Sequence, residues 1–234
     1  MNDANSATEQ SSPSRVVSAI MRGIRAGRFA PGQRLIEVDL TRELHVSRGP
    51  VREAFKRLAG EGVLALARFR GAYVRRMSRS EVNDTLVVME TLTGLSASLA
   101  AQQVSRDRRR GHRVTAAYDA LMNVSENSDH SAARDARGRF YEALIDAAGN
   151  HELRRIMPQA QIVLLRAQFQ GFLTMGEQRR HLEEYRAIHD AVLAGDAAKA
   201  ERATRMHLRR RRENIMALPE DAFATDGTMV ENTG

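Results

Sequence analysis

His45-Val-Ser-Arg-Gly-Pro-Val-Arg-Glu-Ala-Phe-Lys-Arg-Leu58 decides how the rest of this chain is read. His45-Val46 reads as a tight turn and the remainder as a helix. Ser47 is a residue type favoured at an N-cap. Pro50 suits a first turn, which needs no backbone N–H. Glu53 complements the positive end of the helix dipole. Val51, Ala54, Phe55 and Leu58 recur at i, i+3, i+4 and i+7 and form a core stripe. Arg48, Arg52 and Lys56 recur every fourth residue on a separate, basic line. A short helix that opens on small residues, with arginines beside them, can enter a major groove.

Working outward, residues 14–26 place Val17, Ile20, Met21 and Ile24 on one helical face, with Gly27 as its C-terminal stop. Phe29-Ala-Pro-Gly32 is a turn, and residues 35–44 form a second helix with Ile36, Leu40 and Leu44 one turn apart. After the reading helix, residues 63–67 and 72–75 are expected as two strands around a basic loop, Arg68-Phe-Arg-Gly71. Helix, helix, turn, helix and hairpin make a winged helix-turn-helix over residues 14–77, its helix-turn-helix at about 37–56. Arginines at the wing tip suit phosphate or the minor groove.

Ile24-Arg-Ala-Gly-Arg-Phe-Ala-Pro-Gly-Gln-Arg-Leu35, Val46-Ser-Arg-Gly-Pro-Val-Arg-Glu-Ala54, Leu58-Ala-Gly-Glu-Gly-Val63 and Arg70-Gly-Ala-Tyr-Val74 stand in this order and spacing. Together they resemble the DNA-binding domain of the GntR family. The resemblance implies DNA contacts at Ser47, Arg48, Gly49, Pro50 and Arg52, and at the wing residues Arg68, Arg70 and Gly71. Val38 stands where some members carry a further arginine.

From Ser78 onward the pattern is helical. In the first long helix, Val88, Leu92, Leu95 and Leu99 form one stripe and Val82, Leu86 and Met89 another, so burial on two sides is expected. Further helices are expected around Val114–Met122 and over residues 132–148, 153–172 (broken or kinked at Pro158), 177–194 and 196–217. Residues 1–13 and 218–234 read as flexible tails. The fold class is therefore mainly α: a winged helix-turn-helix with a two-stranded wing, then an all-helical bundle over residues 80–217. Phe140-Tyr-Glu-Ala-Leu144, Ala147-Ala-Gly-Asn150, His181-Leu-Glu-Glu-Tyr-Arg-Ala-Ile188, Ala194-Gly-Asp-Ala-Ala-Lys-Ala200 and Met206-His-Leu208 make this half resemble the FCD-type effector domain of the FadR subfamily.

Charge agrees with that division. The net charge is +7, and residues 14–77 alone hold fourteen basic against five acidic side chains. The basic surplus thus sits in the first domain, as nucleic-acid binding requires. Cysteine is absent, which excludes disulfides and thiolate metal sites. No apolar run approaches the ~20 residues of a membrane span, and the polar N-terminus resembles neither signal peptide nor anchor. A cytoplasmic protein is expected. No P-loop, nucleophile elbow, dinucleotide glycine pattern or H-E-x-x-H pair is present, so no enzyme is expected.

Many FadR-type members hold a divalent metal inside the bundle. The matched motifs put its ligand positions at Arg137, Tyr141, Tyr185 and His207, of which only the last suits such an ion. No metal or other cofactor is therefore expected. Arg137 would instead take an effector carboxylate as a bidentate partner, with Tyr141, Tyr185 and His207 completing the ring and Arg166 as a second anion-binding group. The alternatives are that Tyr141 and Tyr185 merely fill the former site, or that Asp135, His181, His189 and His207 rebuild a metal site and make a metal sensor. By resemblance, the partners are a double-stranded DNA operator, a small carboxylate effector and a second copy of the chain. One reading helix covers too few base pairs alone, and a homodimer matches a palindrome. The family usually represses; an activator or dual regulator of the same fold is the alternative.

Overall fold

The computed structural model describes residues 12–67, 71–126, 130–169 and 175–225. Its helices are α1 (Ser12–Arg25), α2 (Glu37–Leu44), α3 (Arg48–Gly60), α4 (Arg79–Arg106), α5 (Gly111–Glu126), α6 (His130–Ala148), α7 (His151–Ile156), α8 (Gln159–Gln168), α9 (Met175–Leu193) and α10 (Ala197–Met216). Its strands are β1 (Arg34–Leu35), β2 (Leu64–Leu66) and β3 (Ala72–Val74). The described residues form two compact units, and the division is not a simple cut in the sequence. Residues 159–169 and the segment from 219 belong with the N-terminal unit.

In the first unit, α1 packs on α3 through Val16, Ile20 and Ile24 against Val51, Phe55 and Leu58, all buried. Each such side chain contributes roughly 1.5–3 kcal/mol of burial free energy. The turn between α2 and α3 is made by His45, whose backbone is left-handed (φ 51°) and whose N–H reaches the Thr41 carbonyl. That conformation is costly outside glycine, and it reverses the chain within a few residues.

The sheet has three antiparallel strands in the order β1-β3-β2. Arg34 and Leu35 pair with Tyr73 and Ala72, adding a strand to the expected two and delaying the second helix to Glu37. Gly71 allows this strand to approach: its φ is 154°, and a Cβ there would lie 2.7 Å from the Leu35 carbonyl oxygen. Glycine at 71 is thus required by the fold itself.

The helix expected over residues 153–172 is broken at Met157-Pro158 into α7 and α8, because proline removes a donor and clashes with the preceding turn. In the first unit α8 packs on α1, burying Ile162, Val163, Leu164, Leu165 and Ala167. Gln168 accepts from the Met77 N–H (2.7 Å) and donates to the carbonyls of Met77 (3.0 Å) and Ala222 (2.9 Å). Ala224 donates its N–H to Met77, Phe223 is buried against Phe169, and the Arg79 guanidinium lies over the Phe223 ring. Residues 219–224, expected in a flexible tail, are therefore docked. Phe223 supplies the burial that the polar composition around it conceals.

The second unit is a helical bundle whose core joins Ala97, Ala101 and Val104 of α4, Val114, Tyr118 and Leu121 of α5, Phe140 and Leu144 of α6, and Tyr185, Ile188 and Val192 of α9. The Val88, Leu92, Leu95 and Leu99 stripe, expected on one buried side of α4, is corrected. Val82, Leu86 and Met89 are buried, but Val88 is 48% exposed and Leu95 41%, with Leu92 and Leu99 half-buried. The second buried face instead carries Glu90, Thr93, Gly94, Ser96 and Ala97. These small residues leave room for the arginine stems of α10: a Cβ on Gly94 would lie 2.6 Å from the Arg205 side chain. Arg209 donates to Glu90 at 2.9 Å. Burial opposes ionisation of Glu90, but that hydrogen bond and the charges of Arg209, Arg205 and Arg212 outweigh it and hold its carboxyl below the usual range.

Candidate functional site

Two surfaces concentrate the expected residues. The first is the opening turn of α3. Ser47 occupies the N-cap position in extended backbone, but its hydroxyl makes no cap hydrogen bond. Ser47, Arg48 and Gly49 are exposed and Pro50 half-buried, while Val51, Ala54, Phe55 and Leu58 face the core. A Cβ at Gly49 would meet nothing within 4 Å, so the fold does not demand glycine there. Its small size leaves space for whatever lies against the helix.

Arg52 points from the same surface but is anchored from behind. Its Nε donates to Glu37 Oε1 at 2.8 Å, and Glu37, in the first turn of α2, is only 3% exposed. The sequence reading missed Glu37. Its position fifteen residues upstream, on a different helix, gives no periodic signal. Arg57 pairs with Glu61 at 3.1 Å, one turn further along the helix. Arg68 and Arg70 lie outside the described residues, and Gly71 has the structural role given above.

The second surface is interior to the helical unit. Phe140 and Tyr141 of α6, Tyr185 and His181 of α9, and His207 of α10 form a continuous ring cluster. Tyr185 lies 5.4 Å from Phe140, 6.0 Å from Tyr141 and 4.7 Å from His207, centroid to centroid, and His181 lies 5.3 Å from His207. The Tyr141 and Tyr185 hydroxyls face each other at 3.4 Å. Periodicity explains how α9 contributes: His181, Glu184, Tyr185 and Ile188 are spaced i, i+3, i+4 and i+7 and share one face.

Glu184 was not anticipated, yet it organises the cluster. Its Oε2 lies 2.6 Å from His207 Nδ1, and its Oε1 accepts from Arg210, also at 2.6 Å. Burial opposes its charge, but the hydrogen bonds from His207 and Arg210 prevail and lower its pKa. The histidines respond oppositely. Burial foremost, then the neighbouring charges of His207, Arg211 and Arg137, with Glu184 opposing, lower His181 from 6.5 to about 4. His207, wholly buried, is also lowered, by burial against the pull of Glu184 and with the help of Arg211 and Arg137. Arg137 thus reaches both imidazoles electrostatically. Among the described residues no group hydrogen-bonds His207 Nε2 or His181 Nδ1, both fully buried.

The structure brings Tyr141, Tyr185 and His207 together, and Arg137 of the same unit lies near enough for its charge to act on His181 and His207. Arg166 lies on α8, in the other unit. The donor set does not fit a divalent metal. A guanidinium cannot ligate one, and neutral phenols are poor ligands. His189, a candidate for a rebuilt site, is stacked on Tyr118 at 4.3 Å, and its nitrogens face Thr115 (3.3 Å) and Asp190 (2.9 Å). Asp135 is exposed. Among the described residues no three His, Cys, Asp or Glu side chains gather as metal ligands. None of the described helices is long and apolar enough to cross a membrane.

Comparison with known proteins agrees with this organisation. Residues 13–74 match the family described as bacterial regulatory proteins, gntR family, and residues 84–210 match the FCD domain. The chain is 27% identical to the "Probable D-xylose utilization operon transcriptional repressor" of Paenarthrobacter nicotinovorans, over 83% of this chain and 84% of that one. It is 27% identical to the "Galactonate operon transcriptional repressor" of Escherichia coli, over 81% and 90%. Two solved structures share the fold: E. coli McbR/YncC (TM-score 0.76, 20% identity, 88% and 97% covered) and a putative GntR regulator from Rhodococcus sp. RHA1 (0.74, 24%, 90% and 100%). These relatives are named as regulators and repressors, none as an enzyme. The chain belongs to the GntR family of DNA-binding transcriptional regulators, in the group that carries an FCD domain.

Proposed function

We propose that this regulator is a cytoplasmic homodimeric repressor, released from a palindromic operator when a small organic acid binds among Arg137, Tyr141, Tyr185 and His207. The observation that carries this reading is the buried pair His207 Nε2 and His181 Nδ1, which no described residue hydrogen-bonds. Folding leaves an orphaned nitrogen in a protein interior at a cost, and a ligand that satisfies it recovers that cost. Arg137 supplies the positive charge a carboxylate needs and has a fork that accepts one bidentately. The names of two relatives refer to D-xylose and galactonate operons, so small polar metabolites are the natural range to search.

On the DNA side, Ser47, Arg48, Gly49, Pro50 and Arg52 form the reading surface, and Arg68, Arg70 and Gly71 supply the wing. Two copies of α3 on a two-fold axis match a palindrome. The exposed stripe of Val88 and Leu95, flanked by Leu92 and Leu99, gives a second copy an apolar face to cover. Effector binding shifts DNA affinity only so far as it distinguishes two arrangements of that dimer.

The test is a thermal-shift screen of organic acids on the full chain, followed by displacement of a labelled operator fragment with the hit. Arg137→Ala should bind that hit about ten- to a hundredfold more weakly while still binding DNA. Equal affinity in this variant would refute the proposed effector site.

A further inference from the structure

Residues 75–78, which lead from β3 into α4, are pinned by partners far away in the chain. Arg75 donates its backbone N–H to the Val63 carbonyl and its guanidinium to the Gly62 carbonyl. Met77 and Ser78 are buried. Both polar groups of the Met77 backbone meet Gln168, and the Met77 carbonyl also accepts from the Ala224 N–H at 3.0 Å. Ser78 and Ala224 form a parallel bridge. Arg76 donates to the Asp221 carbonyl, and Arg79 pairs with Glu220 at 2.9 Å. The linker is thus stapled to the segment that follows α10.

That attachment is modest. Of residues 219–224 only Phe223 is buried, seated against Phe169 and under the Arg79 guanidinium. The Glu220 side chain is 85% exposed, where an ion pair contributes little. One buried ring and a few hydrogen bonds have to offset the ordering of the whole segment, so the two nearly balance. The core of α1 and α3 (Val16, Ile20, Ile24, Val51, Phe55 and Leu58) does not include Phe223. The segment can therefore leave by local opening while the DNA-reading head stays folded. Its departure takes partners from Arg76, Met77 and Ser78 together.

We propose that residues 219–224 are a detachable strap that stiffens the linker at residues 75–78 and so fixes the half-site spacing that a dimer reads. This rests on the homodimer reading of the preceding section. One inserted base pair moves a half-site by about 3.4 Å and turns it by about 35°. A stapled linker resists that displacement, whereas a released one lets the head follow it. A pre-organised head binds its own spacing without the ordering cost that a free one meets on every site. α10 ends at Met216, three residues before Pro219, so a shift of that helix reaches the linker through the strap.

The experiment uses the full-length protein and an operator that it selects from a random duplex library. Anisotropy titrations then compare that operator with versions whose half-sites stand one or two base pairs nearer or further apart. The wild-type chain should prefer its own spacing by about tenfold or more. Phe223→Ala should reduce the preference to about twofold while leaving affinity for a single half-site unchanged. Phe223→Leu, which keeps an apolar side chain in the seat, should restore it. Amide exchange shows whether the strap has left: in F223A the Ala224 N–H should exchange faster, with the protection of α3 retained. A variant that frees Ala224 yet keeps the wild-type spacing preference would overturn the strap's role. Loss of α3 protection in F223A would also overturn it, since the segment would then be part of the head's own core. A selected operator without two symmetric half-sites would remove the dimer reading and this inference with it.

Discussion

Replacing His181 by glutamine should flatten the acid sensitivity of the helical unit. His181 is 5% exposed and its pKa falls from 6.5 to about 4, through burial first and then the charges of His207, Arg211 and Arg137. The unfolded chain binds this proton near pH 6.5, whereas the folded chain resists it until about pH 4. The unfolded state therefore holds more protons across that window, and stability rises with pH. The contribution is fully present above about pH 6.5 and is lost as pH falls towards 4. A difference of about 2.5 pKa units corresponds to roughly 3 kcal/mol, released at about 1.4 kcal/mol per pH unit inside the window. His207 is lowered as well, so the two imidazoles titrate as a pair and the wild-type slope includes both. Glutamine keeps polar atoms in the space but never ionises. Urea unfolding from pH 7.5 to 4.5, followed by amide exchange in α9 and α10, should show the H181Q slope smaller by about one proton. An unchanged slope, or wild-type stability that rises on acidification, would refute the assignment of a buried neutral pair.

Three further outcomes follow from the same geometry. Arg48→Ala and Arg52→Ala should each weaken operator binding by about 1–3 kcal/mol if the arginine reads a base, or change only the salt dependence if it meets a phosphate; anisotropy titrations at several salt concentrations distinguish these. Gly71→Ala should cost about 2 kcal/mol or more in chemical denaturation, because the added Cβ meets the Leu35 carbonyl on backbone that only glycine adopts readily. Gln168→Ala removes the side chain that holds both polar groups of the Met77 backbone, and should cost about 1–3 kcal/mol and speed exchange of the Ala224 amide.

Much of the architecture was legible in the sequence because it is written in local signals. Apolar spacing, caps and turn residues marked the reading helix from Ser47 to Leu58, and Pro158 marked the break that became α7 and α8. The motifs carried by these stretches also named the family. Resemblance further singled out Tyr141, Tyr185 and His207, which the structure does bring together. Residues whose importance depends on pairing left no local trace. Arg34 and Leu35 are a strand only because Tyr73 and Ala72 lie beside them. Glu37 matters because Arg52 folds back onto it.

The sequence by itself thus determined a DNA-reading head joined to a helical bundle, since amphipathic period and basic surplus are properties of the chain alone. Tertiary structure decided which face of α4 is buried. The leucine stripe was the more hydrophobic, but the small-residue face packs closer to α10 and gives Glu90 its arginines. It also decided that α8 and the segment after Pro219 join the DNA-binding unit, through Gln168 and Phe223. Above all it decided the state of His207. The approach of Glu184 from another helix sets a carboxylate 2.6 Å from its Nδ1, while no described residue hydrogen-bonds its Nε2.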